Sequence, residues 1–140
     1  MSDAGFNEFN QKIIEEFRSN AGVVGGVFAG APMVLVTHTG ARSGTQRTTP
    51  LVYTKDGDRV VIIASMGGAP NNPQWFHNIR VNPRVRVEIG SGVYEATAEV
   101  LTEGAERQRL FDQQAEQMPN FKEYQDKTAR VIPVVLLTPV

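Results

Sequence analysis

The sequence predicts a mainly β domain with peripheral helices (α+β), in which six antiparallel strands close into a small barrel. Three observations carry this. Apolar or alternating stretches of strand length recur at Met33–Thr39, Arg47–Thr54, Arg59–Ala64, Arg84–Ile89, Val93–Leu101 and Ile132–Val140. Tight-turn signals, Asp56-Gly57 and Gly90-Ser91-Gly92, join neighbours into antiparallel pairs. A sheet of strands this short removes its exposed edges most simply by closing on itself.

The elements follow in chain order. Phe6, Phe9, Ile13, Ile14 and Phe17 recur at helical spacing and predict an amphipathic helix over Asn7–Asn20. Its polar face is largely acidic, unlike the basic face of membrane-surface helices, so it is expected to pack on its own domain. Gly22–Gly30 is glycine-rich and reads as a flexible approach segment. Residues 1–32 therefore form a helix and approach, and residues 33–140 the barrel.

Met33–Thr39 has apolar neighbours on both faces and predicts a buried strand. Gly40–Arg47 is a turn carrying Arg42, Ser43 and Arg47, with Thr48 and Thr49 just beyond, and no acidic residue occurs from Thr37 to Thr54. Backbone N–H groups and two fixed positive charges in such a turn suit one anion. The competing reading is a polar hairpin turn with solvated arginines. Pro50 confines Arg47–Thr54 to an edge or a bulge.

Ser65–Asn72 is a second glycine-containing loop. Asn72-Pro73 predicts an N-cap followed by proline at the first helical position, opening a short helix Pro73–Val81 that Asn82-Pro83 stops. Thr102 is expected to cap a helix over Glu103–Gln117, and Pro119–Arg130 to form a short helix or loop.

Composition bounds the chemistry. The 140 residues suffice for one domain with a core, and the net charge of −1 excludes a general nucleic-acid surface. There is no cysteine, and His38 and His77 are the two histidines, so no metal site is expected. His38 reads as a packed, hydrogen-bonded strand residue, and His77 as a surface residue or one facing a ligand. The N-terminal residues lack a signal-peptide pattern and no apolar run reaches bilayer length, so a soluble, cytoplasmic protein is expected. No nucleophile elbow and no buried carboxylate pair is present. An anion turn, two glycine loops and aromatic residues suit a protein whose cofactor carries the chemistry.

Three runs, VLVTHTGARSGTQRTTPLVY, VVIIASMGGAPNNPQWFHNIRVNPRVRVEI and YQDKTARVIPVVLL, resemble the deazaflavin (coenzyme F420)-dependent nitroreductase family, the quinone-reductase-like proteins of actinobacteria. The resemblance covers about Met33–Pro139. It implies a six-stranded antiparallel split β-barrel of the flavin-nucleotide-binding type, with coenzyme F420 in a groove at the barrel. It places Arg42, Ser43 and Arg47 at the cofactor's phosphate and acidic tail, and Thr48, Thr49, Pro50, Leu51 and Val52 along the strand beside it. Ile63, Ala64, Ser65 and Met66 would line the deazaflavin ring, and Gln74, Trp75, Phe76, His77 and Asn78 would contact the cofactor from the short helix. Ser65 and Tyr124 are the implied catalytic residues, acting on the acceptor. Tyrosines of nitroimidazole-reducing members are replaced here by Met118 and Phe121.

The implied activity is hydride transfer from reduced F420 to a planar, electron-poor small-molecule acceptor, a quinone fitting best. The alternatives are a flavin-nucleotide-dependent split-barrel enzyme, a non-catalytic deazaflavin carrier, and an interaction domain with a residual groove. A homodimer, and a peripheral contact with the inner face of the cell membrane, stay open.

Overall fold

The computed structural model describes residues 3–140, with side chains from residue 8 onward except residue 27. Phe6 of the predicted helical pattern lies outside the described side chains. The elements are α1 (Asp3–Ser19), β1 (Met33–Thr39), β2 (Gln46–Val52), β3 (Thr54–Asp56), β4 (Arg59–Ile63), α2 (Gln74–Val81), β5 (Arg84–Ile89), β6 (Gly92–Leu101), α3 (Gly104–Gln117), α4 (Asn120–Lys127) and β7 (Val134–Pro139).

The sheet has seven strands, in the order β2-β1-β5-β6-β7-β4-β3, and every pairing is antiparallel. The expected count of six is corrected by one break. Arg47–Thr54, read as one strand, divides at Tyr53 into β2, which pairs with β1, and β3, which pairs with β4. These two strands are the opposite ends of the sheet, yet one residue joins them. That link closes the sheet into a barrel of six lanes, one of them split.

The barrel interior holds Val34 and Val36 of β1, Val60 and Ile62 of β4, Val85 and Val87 of β5, and Val135 and Leu137 of β7. Trp75, Phe76 and Ile79 of α2 complete this core. Outside the barrel, α3 and α4 cover Val61, Ile63, Val134 and Leu136 with Leu110, Phe111 and Phe121. This two-sided burial explains the uninterrupted apolar runs of β4 and β7.

Helix α1 covers a third patch. Ile13, Ile14 and Phe17 are buried with Met33 and Leu35, the residues of β1 that point away from the interior. Arg18 reaches β5 through a bidentate pair with Glu88 (3.1 and 2.9 Å). The segment after α1, expected as a flexible approach, passes close to the turn between β5 and β6. Gly22 has φ +92, and a Cβ there would stand 2.8 Å from the Cα of Gly90. Glycine is needed at this crossing for both reasons.

Candidate functional site

The break at Tyr53 opens the site. Thr54 and Val61 are the last pair between β3 and β4. Beyond them the two lanes diverge: β2 pairs with β1 alone, and the end of β4 with β7 alone. One bank of the resulting split is β2, leading back to the basic turn. The other is Ile63–Met66. Two stretches singled out from the sequence, β2 with its basic turn and Ile63–Met66, thus border one split in the sheet, where the second edge of β2 is unpaired.

Alternation divides the β2 residues. Cross-strand partners share a face, and β1 residues Val34, Val36 and His38 stand opposite Leu51, Thr49 and Arg47. Val34 and Val36 belong to the interior core, so Arg47, Thr49 and Leu51 lie on the inner bank. Thr48, Pro50 and Val52 lie on the outer face. There the Thr48 hydroxyl meets that of Thr37 at 2.8 Å, and Val52 packs in the α1 cluster. Contact between these three and an occupant of the split is left to their backbone. The same alternation puts Ala64 inside, in the barrel core, and Ile63 outside, under α3 and α4.

The basic turn is built from its own polar groups. The Gly40 N–H donates to Thr45 O (2.8 Å), the Gly44 N–H to Gly40 O (3.1 Å) and the Thr45 N–H to Ser43 Oγ (3.1 Å). Gly44 has φ +71, which favours glycine. Arg42 and Arg47 are exposed, and neither enters an ion pair among the described residues. The turn therefore presents two uncompensated guanidinium groups.

Helix α2 holds the turn from behind. Asn78 is buried, and its Oδ1 accepts the Ala41 N–H (3.0 Å) and the Gln74 side-chain N–H (3.1 Å). Its Nδ2 lies 3.1 Å from His38 Nδ1, and His38 Nε2 lies 2.9 Å from Thr49 Oγ1. His38 is thus the packed, hydrogen-bonded residue expected. Burial, aided by the charge of Arg47, lowers its pKa to about 4. Trp75 and Phe76 are core residues, whereas Gln74 and His77 are exposed on the helix. Asn72 does not cap α2. Pro73 occupies that position without a side-chain cap, because Asn72 Oδ1 is engaged by Arg130 (2.7 Å). At α3 the cap position is Glu103 rather than Thr102, again without a side-chain bond.

Arg130 is the residue that sequence reasoning missed. Its guanidinium also donates to the carbonyls of Ala64 (3.2 Å), Ser65 (2.9 Å) and Ala69 (2.9 Å). One side chain thereby gathers the loop that forms the second bank. Burial lowers its pKa from the ordinary arginine value. Within the loop Met66 has φ 48 and is 58% exposed, beside the buried Ser65. A left-handed conformation in a bulky residue marks local strain at a site. The loop sits on α4: a Cβ on Gly68 would meet Tyr124 O at 2.8 Å. Tyr124 is thereby brought to the loop. It is half-buried, its hydroxyl accepts from Asn120 Nδ2 (2.7 Å), and its ring meets Phe121 edge-on.

The arrangement is a split with an amide edge on one bank, cationic where that bank meets the basic turn, and a strained, clamped loop on the other bank. A family model described as F420H(2)-dependent quinone reductase matches residues 10–139. The chain belongs to this family. An F420H(2)-dependent quinone reductase of Mycobacterium tuberculosis is 40% identical over 125 residues, 87% of this chain and 84% of that protein. A putative one of Mycobacterium bovis matches to the same extent. Among solved structures, an F420-H2 dependent reductase (FDR-A) is 41% identical with TM-score 0.70, over 76% of this chain and 93% of that one. A chain described as a domain-swapped dimer is 36% identical with TM-score 0.72, over 97% and 99%. The resemblance read from the three sequence runs and the split-barrel fold are both borne out.

Proposed function

We propose that this family member binds coenzyme F420 across the split between β2 and the Ile63–Met66 bank, and reduces a planar, electron-poor acceptor, a quinone. The observation that carries the reading is the pair of arginines, Arg42 and Arg47, that enter no ion pair among the described residues and stand where β2 meets the basic turn, across the split from a clamped loop. Dependence on F420H2 follows from the family. The acceptor, the hydride step and the residue roles are the proposal.

The residues fit such a cofactor. Arg42 and Arg47 offer guanidinium forks to its phosphate and acidic tail. The unpaired edge of β2 offers backbone hydrogen bonds along its length, and the half-buried Leu51 offers apolar surface. When bound, reduced F420 supplies a hydride to an acceptor stacked on its ring.

The protein's part is orientation and exclusion of water. Ser65 stands at the loop bank, and its hydroxyl has no hydrogen-bond partner among the described residues, while Arg130 holds its carbonyl. In this reading its hydroxyl donates to the acceptor's oxygen as negative charge develops there. Tyr124 is the second candidate donor. A homodimer and a membrane-surface contact are further proposals. The domain-swapped relative favours the first; among the described residues no helix is long and apolar enough to cross a membrane.

The test is anaerobic oxidation of F420H2 by a soluble quinone, followed by recovery of F420 absorbance. Turnover is expected, and Ser65→Ala is expected to lower kcat about tenfold or more with the cofactor Kd unchanged. Wild-type protein that binds F420H2 but oxidises it no faster with quinone than without would support the carrier reading instead.

A further inference from the structure

The buried hydrogen-bond chain between α2 and the groove has a direction, and the direction is set at one end. The Ala41 N–H can only donate, so the Asn78 atom 3.0 Å away must be the carbonyl oxygen Oδ1. Gln74 Nε2, 3.1 Å from the same atom, agrees. The other Asn78 atom is then the amide nitrogen, a donor. It lies 3.1 Å from His38 Nδ1, which must accept and carries no proton. A neutral imidazole so held carries its proton on Nε2, 2.9 Å from Thr49 Oγ1. Thr49 accepts that hydrogen bond, and its own hydroxyl proton has no acceptor among the described residues. Thr49 is half-buried on the inner bank, opposite Val36.

We propose that His38 is a positioning residue: fixed by Asn78 as the Nε2–H tautomer, it makes Thr49 a hydrogen-bond donor to an acceptor oxygen of the cofactor in the split. The same chain ties the basic turn to α2 through Ala41, so the arginines and the Thr49 hydroxyl are set as one unit. The low pKa of His38 agrees with a ring that stays neutral. Protonation would set an Nδ1–H against the Asn78 amide hydrogens, and relief by an amide flip would break the Ala41 bond. The proposal rests on the reading of the split as the F420 site.

Two measurements test it. The first is nitrogen-15 NMR of the imidazoles near pH 7, with His77→Asn used to assign the two rings. His38 is expected to show the neutral Nε2–H pattern; an Nδ1–H ring or a charged ring overturns the proposal whatever the cofactor is. The second is fluorescence titration with oxidised F420. Thr49→Val is expected to weaken binding about tenfold, the scale of one lost hydrogen bond in a water-poor site, and Thr49→Ser to restore it. A glutamine amide nitrogen reaches where Nε2 stands and an asparagine amide does not. His38→Gln is therefore expected to stay within about threefold of wild type, and His38→Asn to match Thr49→Val. Unchanged affinity in Thr49→Val overturns the proposal alone. Wild-type protein that shows no titration with F420 contradicts the cofactor reading, and the proposal falls with it.

Discussion

At the scale of single residues, position on a strand decides which side chains are available. Arg47, Thr49 and Leu51 share the inner face of β2, while Thr48 and Val52 are turned outward. A contiguous motif in sequence is thus two sets in space. That division was legible only once the β1 register was known. The packed state of His38 was legible from its place in an apolar strand, but its partner Asn78 lies forty residues on and was not. The environment of His38 has a consequence for stability. Its folded pKa, about 4, is below the ordinary value of 6.5, so between these values the unfolded chain binds the proton that the folded one refuses. Stability from this group is complete above about pH 6.5 and is lost as pH falls toward 4. Denaturant midpoints measured at pH 7 and pH 5 are expected to differ in the wild type, and to converge in His38→Gln. An equal pH slope in the two proteins would assign it to other groups.

At the scale of elements, the strands and helices followed from pattern, and their exceptions from tertiary contacts. The Asp56-Gly57 signal gave the β3–β4 turn, with Gly57 at φ 66. The Asn72 cap failed because Arg130, far along the chain, took its oxygen. No local signal marks such a residue. Arg130→Met keeps much of the aliphatic stem and removes four hydrogen bonds to the loop. It is expected to lower kcat more than it raises the F420 Kd, because it frees the acceptor bank and leaves the basic turn intact. A rise in Kd alone, with kcat kept, would show that the clamp does not shape the acceptor side. A second element-scale expectation concerns α3. The side chain of Gln114 is fully buried, and its Oε1 and Nε2 both lack a partner among the described residues. Unmet polar atoms of this kind cost about 1–3 kcal/mol. Gln114→Met, close in shape, is expected to raise the thermal midpoint, and a lower midpoint would mean that the amide has a partner such as an internal water.

At the scale of the whole molecule, the groove proposed for the cofactor is a product of closure. A barrel of six lanes in which one lane breaks at Tyr53 must open beside the break, and Arg47, Thr49 and Leu51 of β2 border that opening. The barrel was legible from six strand-like runs and the need to cover edges. The seventh strand was not, because the break reflects a change of partner from β1 to β4 rather than any helix- or strand-breaking residue at Tyr53. The docking of α1 was foreseen from its acidic polar face. Its bond to the barrel, Arg18 to Glu88, and the close crossing of Gly22 and Gly90 required the fold.

In the proposed function the split, with Arg42 and Arg47 at its mouth, takes a deazaflavin. The most direct measurement is a fluorescence titration with oxidised F420 beside flavin mononucleotide, on wild type and on Arg42→Ala. Micromolar or tighter binding of F420, weaker binding of the flavin, and a loss of about tenfold or more in Arg42→Ala are expected, the last from a charged hydrogen bond removed. Selective binding of the flavin, or F420 affinity unmoved in both Arg42→Ala and Arg47→Ala, would contradict it.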